Sequence, residues 1–377
     1  MVSFGQRLEA ANWRPVGFDY MRLAMSTMVL VWHSIVTSYG PAAQSHAGSG
    51  GSRALAALTM PMFFALSGFA VSGSLYRSRS LFGFMGLRML RIYPALFVAV
   101  LGAGLIVGPL LTERTLGGYF GDPMTWRYLV GVTGVVAYEL PGLFLDNPNP
   151  VRVNGQLWTV PFDLFCYSLI AGFAALGLVR RRGMFLTVAL AIWMGLGLLY
   201  AARHGIAPSR RYMNAPGSFL VAYFLAGTAL FLFRDRVPWS RALAALSAAA
   251  TLVLLSFPVW GDLLAVPAVA YLTMFLGLCD PSRHPVLKGT DYSYGVFIYG
   301  YLVQQSWMTA GPWAHHWWIN LALTMPTVWL IAALSWHYVE KPALAKRTLL
   351  FAAEERWIRW TRRLSGAAAR LRRPSAA

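Results

Sequence analysis

FDYMRLAMSTMVLVWHSIVTSY, residues 18–39, is long and apolar enough to cross a bilayer, yet it carries Arg22 and His33. The two lie eleven positions apart. At about 100° per residue that spacing returns to within about 20° of the same helix face, and it sets His33 roughly 16 Å deeper than Arg22. Ionisable groups at such depth are costly, so each marks a functional site with a partner to be found. The stretch is too long for the apolar region of a cleaved leader and carries charge, so it reads as a retained helix.

Working outward, apolar stretches of spanning length recur along the 377 residues, which are 57% hydrophobic and 12% charged. They fall roughly at 18–39, 54–75, 91–111, 157–178, 184–202, 217–233, 242–259, 262–279, 292–309 and 318–338. The expected fold is all-α: a polytopic membrane protein of about ten transmembrane helices. An extra apolar piece over 128–145 contains Glu139 and Pro141 and ends at Asp146-Asn147-Pro148, which suits a re-entrant or surface helix better than a span.

Charge orients this arrangement. With the N-terminus inside, the cytoplasmic segments hold 24 basic residues against 7 outside, which places both termini in the cytoplasm. Arg210-Arg211 runs against the bias. The net charge of +18 therefore reflects loops and a basic cytoplasmic tail, 343–377, following a membrane domain, 1–342; no nucleic-acid partner is implied. Cys166 and Cys279 fall in expected spans and read as free thiols.

Asp163 is the carboxylate well inside an expected span, roughly 9 Å below the outer surface, and His33 lies at the same depth. Such a pair could fix the imidazole tautomer for general-base work, or could join two helices and nothing more. Arg22 follows Asp19 at i, i+3, so a local ion pair and snorkelling are both open to it. Arg88 and Arg91 suit phosphates of a cytosolic nucleotide-type donor, and equally suit ordinary positive-inside charge. His315-His316 sits among Trp313, Trp317 and Trp318 and reads as an aromatic belt rather than a metal site. Ser67-Gly68 lacks the setting of a hydrolase nucleophile elbow; Gly68, Ser72 and Gly73 suit close helix packing. No Walker loop or dinucleotide fingerprint occurs.

Six segments in order resemble the acyltransferase 3 family of integral membrane acyltransferases. They are Asp19-Tyr20-Met21-Arg22 with His33, Phe63 to Phe69, Arg88 to Pro94, Asn154 to Thr159 with Trp158, Tyr292-Ser293-Tyr294-Gly295, and Val339-Glu340-Lys341-Pro342. The resemblance implies a bacterial inner-membrane enzyme that moves an acyl group, commonly acetyl, from cytosolic acyl-CoA. The acceptor would be a hydroxyl of a cell-surface or exported carbohydrate, or of a lipid-linked glycan. Acyl-CoA would be a co-substrate, with no cofactor or metal held permanently and membrane lipids as the surroundings. By the same resemblance His33 is catalytic, with Asp163 as its carboxylate. Arg22, Arg88 and Arg91 serve acyl-CoA, and Asp19, Ser67, Trp158, Tyr294 and Glu340 support the site. Two positions depart from the family pattern: Asp163 is more often Glu, and Gly300 stands where many members carry histidine. His33 would act as a base or carry the acyl group itself. A glycan or lipid transporter with a polar path is the alternative, and a scaffold within a polysaccharide assembly a third.

Overall fold

The computed structural model describes residues 2–205, 216–282, 284–285 and 289–371, with side chains as far as 359. Arg210, Arg211, Arg283 and Lys288, which entered the charge comparison, lie outside the described residues. Among the described residues the chain is helical, with no strand.

The principal helices are α1 (Phe4–Ala10), α2 (Val16–Ala47), α3 (Arg53–Arg77), α4 (Leu81–Gly102) and α5 (Val160–Ala175). They continue with α6 (Arg182–His204), α7 (Phe219–Leu232), α8 (Arg241–Leu255), α9 (Val266–Gly277), α10 (Ser293–Met308), α11 (Trp317–Ser335) and α12 (Arg347–Leu371). Each of the ten apolar stretches expected from the sequence overlaps one of these helices. Five helical segments are long and apolar enough to cross a membrane: Gly50–Arg77, Leu81–Leu111, Gly155–Ala175, Arg182–His204 and Trp317–Arg359. The chain is that of a helical membrane protein.

Three local features position the interior. First, α2 runs past its expected end but bends at Gly40, whose φ of 82° is open to glycine at no steric cost, followed by Pro41. Second, α3 and α7 pack backbone to backbone, because Gly68 faces the Phe224 carbonyl and Gly227 faces the Ala65 carbonyl. A Cβ at either position would lie within about 2 Å of those oxygens. Around this contact Phe64, Phe69, Tyr223, Phe224 and Phe231 form the densest part of the core. Third, α4 is capped by Ser80, whose Oγ accepts from Gly83 N at 3.0 Å, and extends through a π turn, Ala103–Val107.

The expected helix over 128–145 is not found. A helical turn ends at Leu129, a 3-10 turn spans Val130–Thr133, and 135–154 is irregular. Gly134 (φ 92°) and Gly142 (φ 67°) turn the chain, and Pro141, Pro148 and Pro150 remove amide donors. Side chains replace the missing backbone pairing. Asn147 Nδ2 donates to the Gln305 carbonyl and Oε1 at 3.0 and 3.1 Å. Gln305 Nε2 in turn donates to the carbonyls of Asn149 and Arg152 at 2.7 Å each. Non-helical backbone is tolerated inside a membrane protein where protein groups satisfy it in this way.

The basic segment after 343 is docked over its first part. Glu354 of α12 is buried against the start of α4, where Ser80 Oγ donates to its Oε1 at 2.5 Å, and Trp357 stacks on Phe82 with ring centroids 6.1 Å apart. Cys166 and Cys279 are both free thiols.

Candidate active site

Two cavities meet inside the helical bundle. The larger, of about 420 Å³, is walled by α2, α3, α4, α5 and the start of α10. Arg22, Ser67, Arg88, Arg91, Asp163 and Tyr294, all singled out in the sequence, line it together. The smaller, of about 80 Å³, holds His33 of α2 and Trp158 just before α5.

Four arginines line the large cavity and differ in their partners; Arg77, at the end of α3, lies over the Trp13 ring at 5.9 Å. Arg91 donates to Asp291 Oδ2 at 2.6 Å, lies 3.5 Å from Glu340 Oε2, and stacks over the Tyr294 ring at 5.6 Å. Arg22 pairs with Asp19 at 2.5 Å and approaches Asp291 at 3.7 Å. The local Asp19–Arg22 pair thus exists, and a second carboxylate reinforces it. Arg88 donates to Ser74 Oγ at 3.0 Å, its Nε is enclosed without a partner, and among the described residues no carboxylate pairs with it. A guanidinium beside a cavity with no anion of its own is the feature an anionic ligand would satisfy.

Asp291 went unnoticed in the sequence, although it directly precedes the Tyr292 to Gly295 segment. It joins Arg22 to Arg91 and accepts from Ser293 Oγ at 2.5 Å and Ser293 N at 3.3 Å. Burial pushes its carboxyl up, but the Arg91 and Arg22 charges and the Ser293 bonds outweigh that and hold it down at about 2. Glu340 is kept in place from the other side: Ser335 Oγ donates to its Oε1 at 3.1 Å, and Tyr299 OH lies 2.9 Å from Ser335 Oγ.

His33 is held edge-on to Tyr301, ring centroids 5.0 Å apart. Its Nδ1 is enclosed without a hydrogen bond, which leaves Nε2 as the nitrogen turned toward the small cavity. No hydrogen bond or ion pair joins His33 to Asp163. The carboxylate lines the large cavity, whereas the imidazole lines the small one. Their common depth does not bring them into hydrogen-bonding contact, because Asp163 lies on the wall of the other cavity. Residue Gln156, not singled out in the sequence, donates through Nε2 to the Ile298 carbonyl at 2.6 Å, and its Oε1 has no partner. It lines the small cavity beside Trp32, Thr59 and Trp158. Gly300 lies directly behind this region: a Cβ there would sit 2.1 Å from Leu30 Cδ2, so α2 and α10 approach too closely for a larger residue without a shift.

Met60, Thr159 and Phe297 line both cavities and make up the wall common to them. His315 lies in the turn before α11, its Nε2 3.0 Å from the Met308 carbonyl, and the described residues hold no cluster of three metal-ligating side chains.

Known proteins are similar to this chain over most of its length. An O-acetyl transferase of Shigella phage Sf6 is 26% identical over 338 residues, covering 87% of this chain and 96% of the relative. Nodulation protein 10 of Rhizobium leguminosarum bv. viciae is 30% identical over 319 residues, covering 77% of this chain and 83% of the relative. No solved structure matches the chain. The family model described as an acyltransferase domain matches residues 16–339, which include every residue lining the two cavities except Leu344, so the chain belongs to the acyltransferase 3 family.

Proposed function

We propose that the protein transfers an acyl group from acyl-CoA to a carbohydrate hydroxyl. The observation that carries this reading is the pairing of the two cavities. One presents a guanidinium, Arg88, without a carboxylate, the other an imidazole with an open nitrogen, and three side chains form a wall common to both. The name of the Sf6 relative supports an O-linked acetyl product. Ten membrane spans with both termini in the cytoplasm of a bacterial inner membrane would put the large cavity on the acyl-CoA side and the small one toward an exported glycan.

In this reaction Arg88 holds phosphate oxygens of the donor, and Arg22 and Arg91, fixed by Asp291, shape the cavity around it. His33 Nε2 accepts the proton of the acceptor hydroxyl, and the resulting oxygen attacks the thioester carbonyl. The C–S bond then breaks, CoA leaves as thiolate, and the imidazolium returns the proton to it. Transient acylation of His33 is the variant in which Nε2 itself attacks first. Asp163 acts across the common wall: its charge favours the imidazolium that forms, without a direct hydrogen bond. No cofactor is needed beyond the co-substrate.

The test is release of free thiol from acetyl-CoA by purified protein with a glycan acceptor, read together with the mass of the acylated product. Thiol release coupled to product supports the reading, whereas a transporter of glycan or lipid gives none. Two substitutions probe the assigned roles. Arg88→Ala raises KM for acetyl-CoA by about ten- to a hundredfold, the worth of a lost charge-assisted hydrogen bond, with a smaller change in kcat. A change confined to the acceptor's KM would remove Arg88 from the donor site. Asp163→Asn lowers kcat by about tenfold, as expected for one pKa unit of through-space charge. A loss as deep as that of a His33 variant would instead assign the proton transfer to Asp163.

A further inference from the structure

Met60, Thr159 and Phe297, the side chains common to both cavities, form the constriction that the acyl end of a donor would have to cross to reach His33. We propose that Phe297 and Met60 restrict the transferred group to a short acyl chain; the inference rests on the acyl-transfer reading above. To meet His33, the acyl end of a donor seated by Arg88 must pass the point where Met60 of α3, Thr159 ahead of α5 and Phe297 of α10 line both spaces. Three separate segments of the chain meet there, so the opening is set by their side chains and not by one movable loop.

Beyond the constriction the room is small. The His33 cavity, about 80 Å³, accommodates a handful of water-sized groups at roughly 10–15 Å³ each. An acetyl group and the reacting hydroxyl with its carbon fill that space. A medium-length chain such as octanoyl does not fit beside an acceptor, and its tail would have to lodge in the constriction against Phe297. That ring packs on Phe63 with centroids 6.1 Å apart, and Phe63 itself lines the large cavity. The large cavity, at about 420 Å³, sets no comparable limit. Selection therefore falls on the part of the donor that crosses, and not on the part that Arg88 holds.

The experiment compares acetyl-CoA, butyryl-CoA and octanoyl-CoA as donors, by thiol release and product mass, for the full-length protein and for Phe297→Ala and Met60→Ala. The unsubstituted protein should favour acetyl over octanoyl by about a hundredfold or more in kcat/KM, as steric exclusion of several methylenes requires. Either substitution should narrow that ratio at least tenfold. Phe297→Leu serves as a milder variant if Phe297→Ala does not insert. Equal use of acetyl and octanoyl donors by the unsubstituted protein overturns the filter and leaves acyl transfer standing. So does a ratio unmoved in every variant. Absence of thiol release from all three donors overturns the acyl-transfer reading and the filter with it.

Discussion

Replacement of His33 by alanine removes acyl transfer, with kcat falling by about 10²–10⁴, while the protein still inserts and binds acetyl-CoA. The size follows from the position of the ring. Its Nε2 is the nitrogen that faces the small cavity, Nδ1 is enclosed, and among the described residues no second imidazole lines either cavity. The other polar side chains of the small cavity, Gln44, Thr59, Gln156 and Thr159 with the indoles of Trp32 and Trp158, can hydrogen-bond a hydroxyl but cannot take its proton at neutral pH. The donor cavity lies beyond the constriction and lacks His33 among its walls, so the KM for acetyl-CoA should move less than threefold. Measured transfer within tenfold of the unsubstituted protein would end the case for His33 as base or as acyl carrier.

The second large effect concerns stability. Arg53 at the start of α3 and Asp262 between α8 and α9 form a bidentate pair at 2.7 and 3.1 Å, with side chains 5% and 1% exposed. Arg53 also donates to the Leu255 carbonyl, Val259 N donates to Asp262 Oδ2 at 3.0 Å, and Tyr223 OH donates to the Asp262 carbonyl. The cluster fixes α3, α7 and the α8–α9 turn to one another, and it holds Val259 at a φ of 68° that valine rarely adopts. Arg53→Met strands a buried carboxylate and should cost about 3–5 kcal/mol in thermal or denaturant unfolding of the purified protein. The double variant Arg53→Met/Asp262→Leu removes both charges and should recover much of that loss. A single variant that unfolds within about 1 kcal/mol of the unsubstituted protein would show that the pair contributes little.

Much of the helical layout was legible because it depends on one-dimensional patterns. The apolar stretch of 18–39 and its nine counterparts each overlap a helix, and Gly68 does serve a close crossing. The segment 128–145 misled because its apolar content resembles that of a helix. Its structure is set instead by Gly134, Gly142 and three prolines, with hydrogen bonds supplied by Gln305 far along the chain. Depth along a helix is likewise one coordinate of three. It put His33 and Asp163 at one level but carried no information on the rotation of α5, which sets Asp163 on the wall of the large cavity and not beside His33. The arginine motif could be read, but its division of labour could not. That division depends on Asp291, a loop residue whose partners Arg22 and Arg91 lie roughly 200 positions or more away in the chain. Gln156 sits inside a recognisable segment, yet only its bond to the Ile298 carbonyl shows that Oε1 is left open.

The meeting point of Met60 and Phe297 also bears on the bilayer itself. Two hydrated chambers laid end to end through a membrane would dissipate the ion gradients on which a cell runs, unless their junction sheds water. A thioether and a phenyl ring, beside the Thr159 hydroxyl on the wall common to both cavities, are apolar groups of the kind that resists wetting. The same side chains would then let a two-carbon fragment across while denying passage to hydrated ions, so that chemistry on one side and insulation of the other come from a single pair of residues.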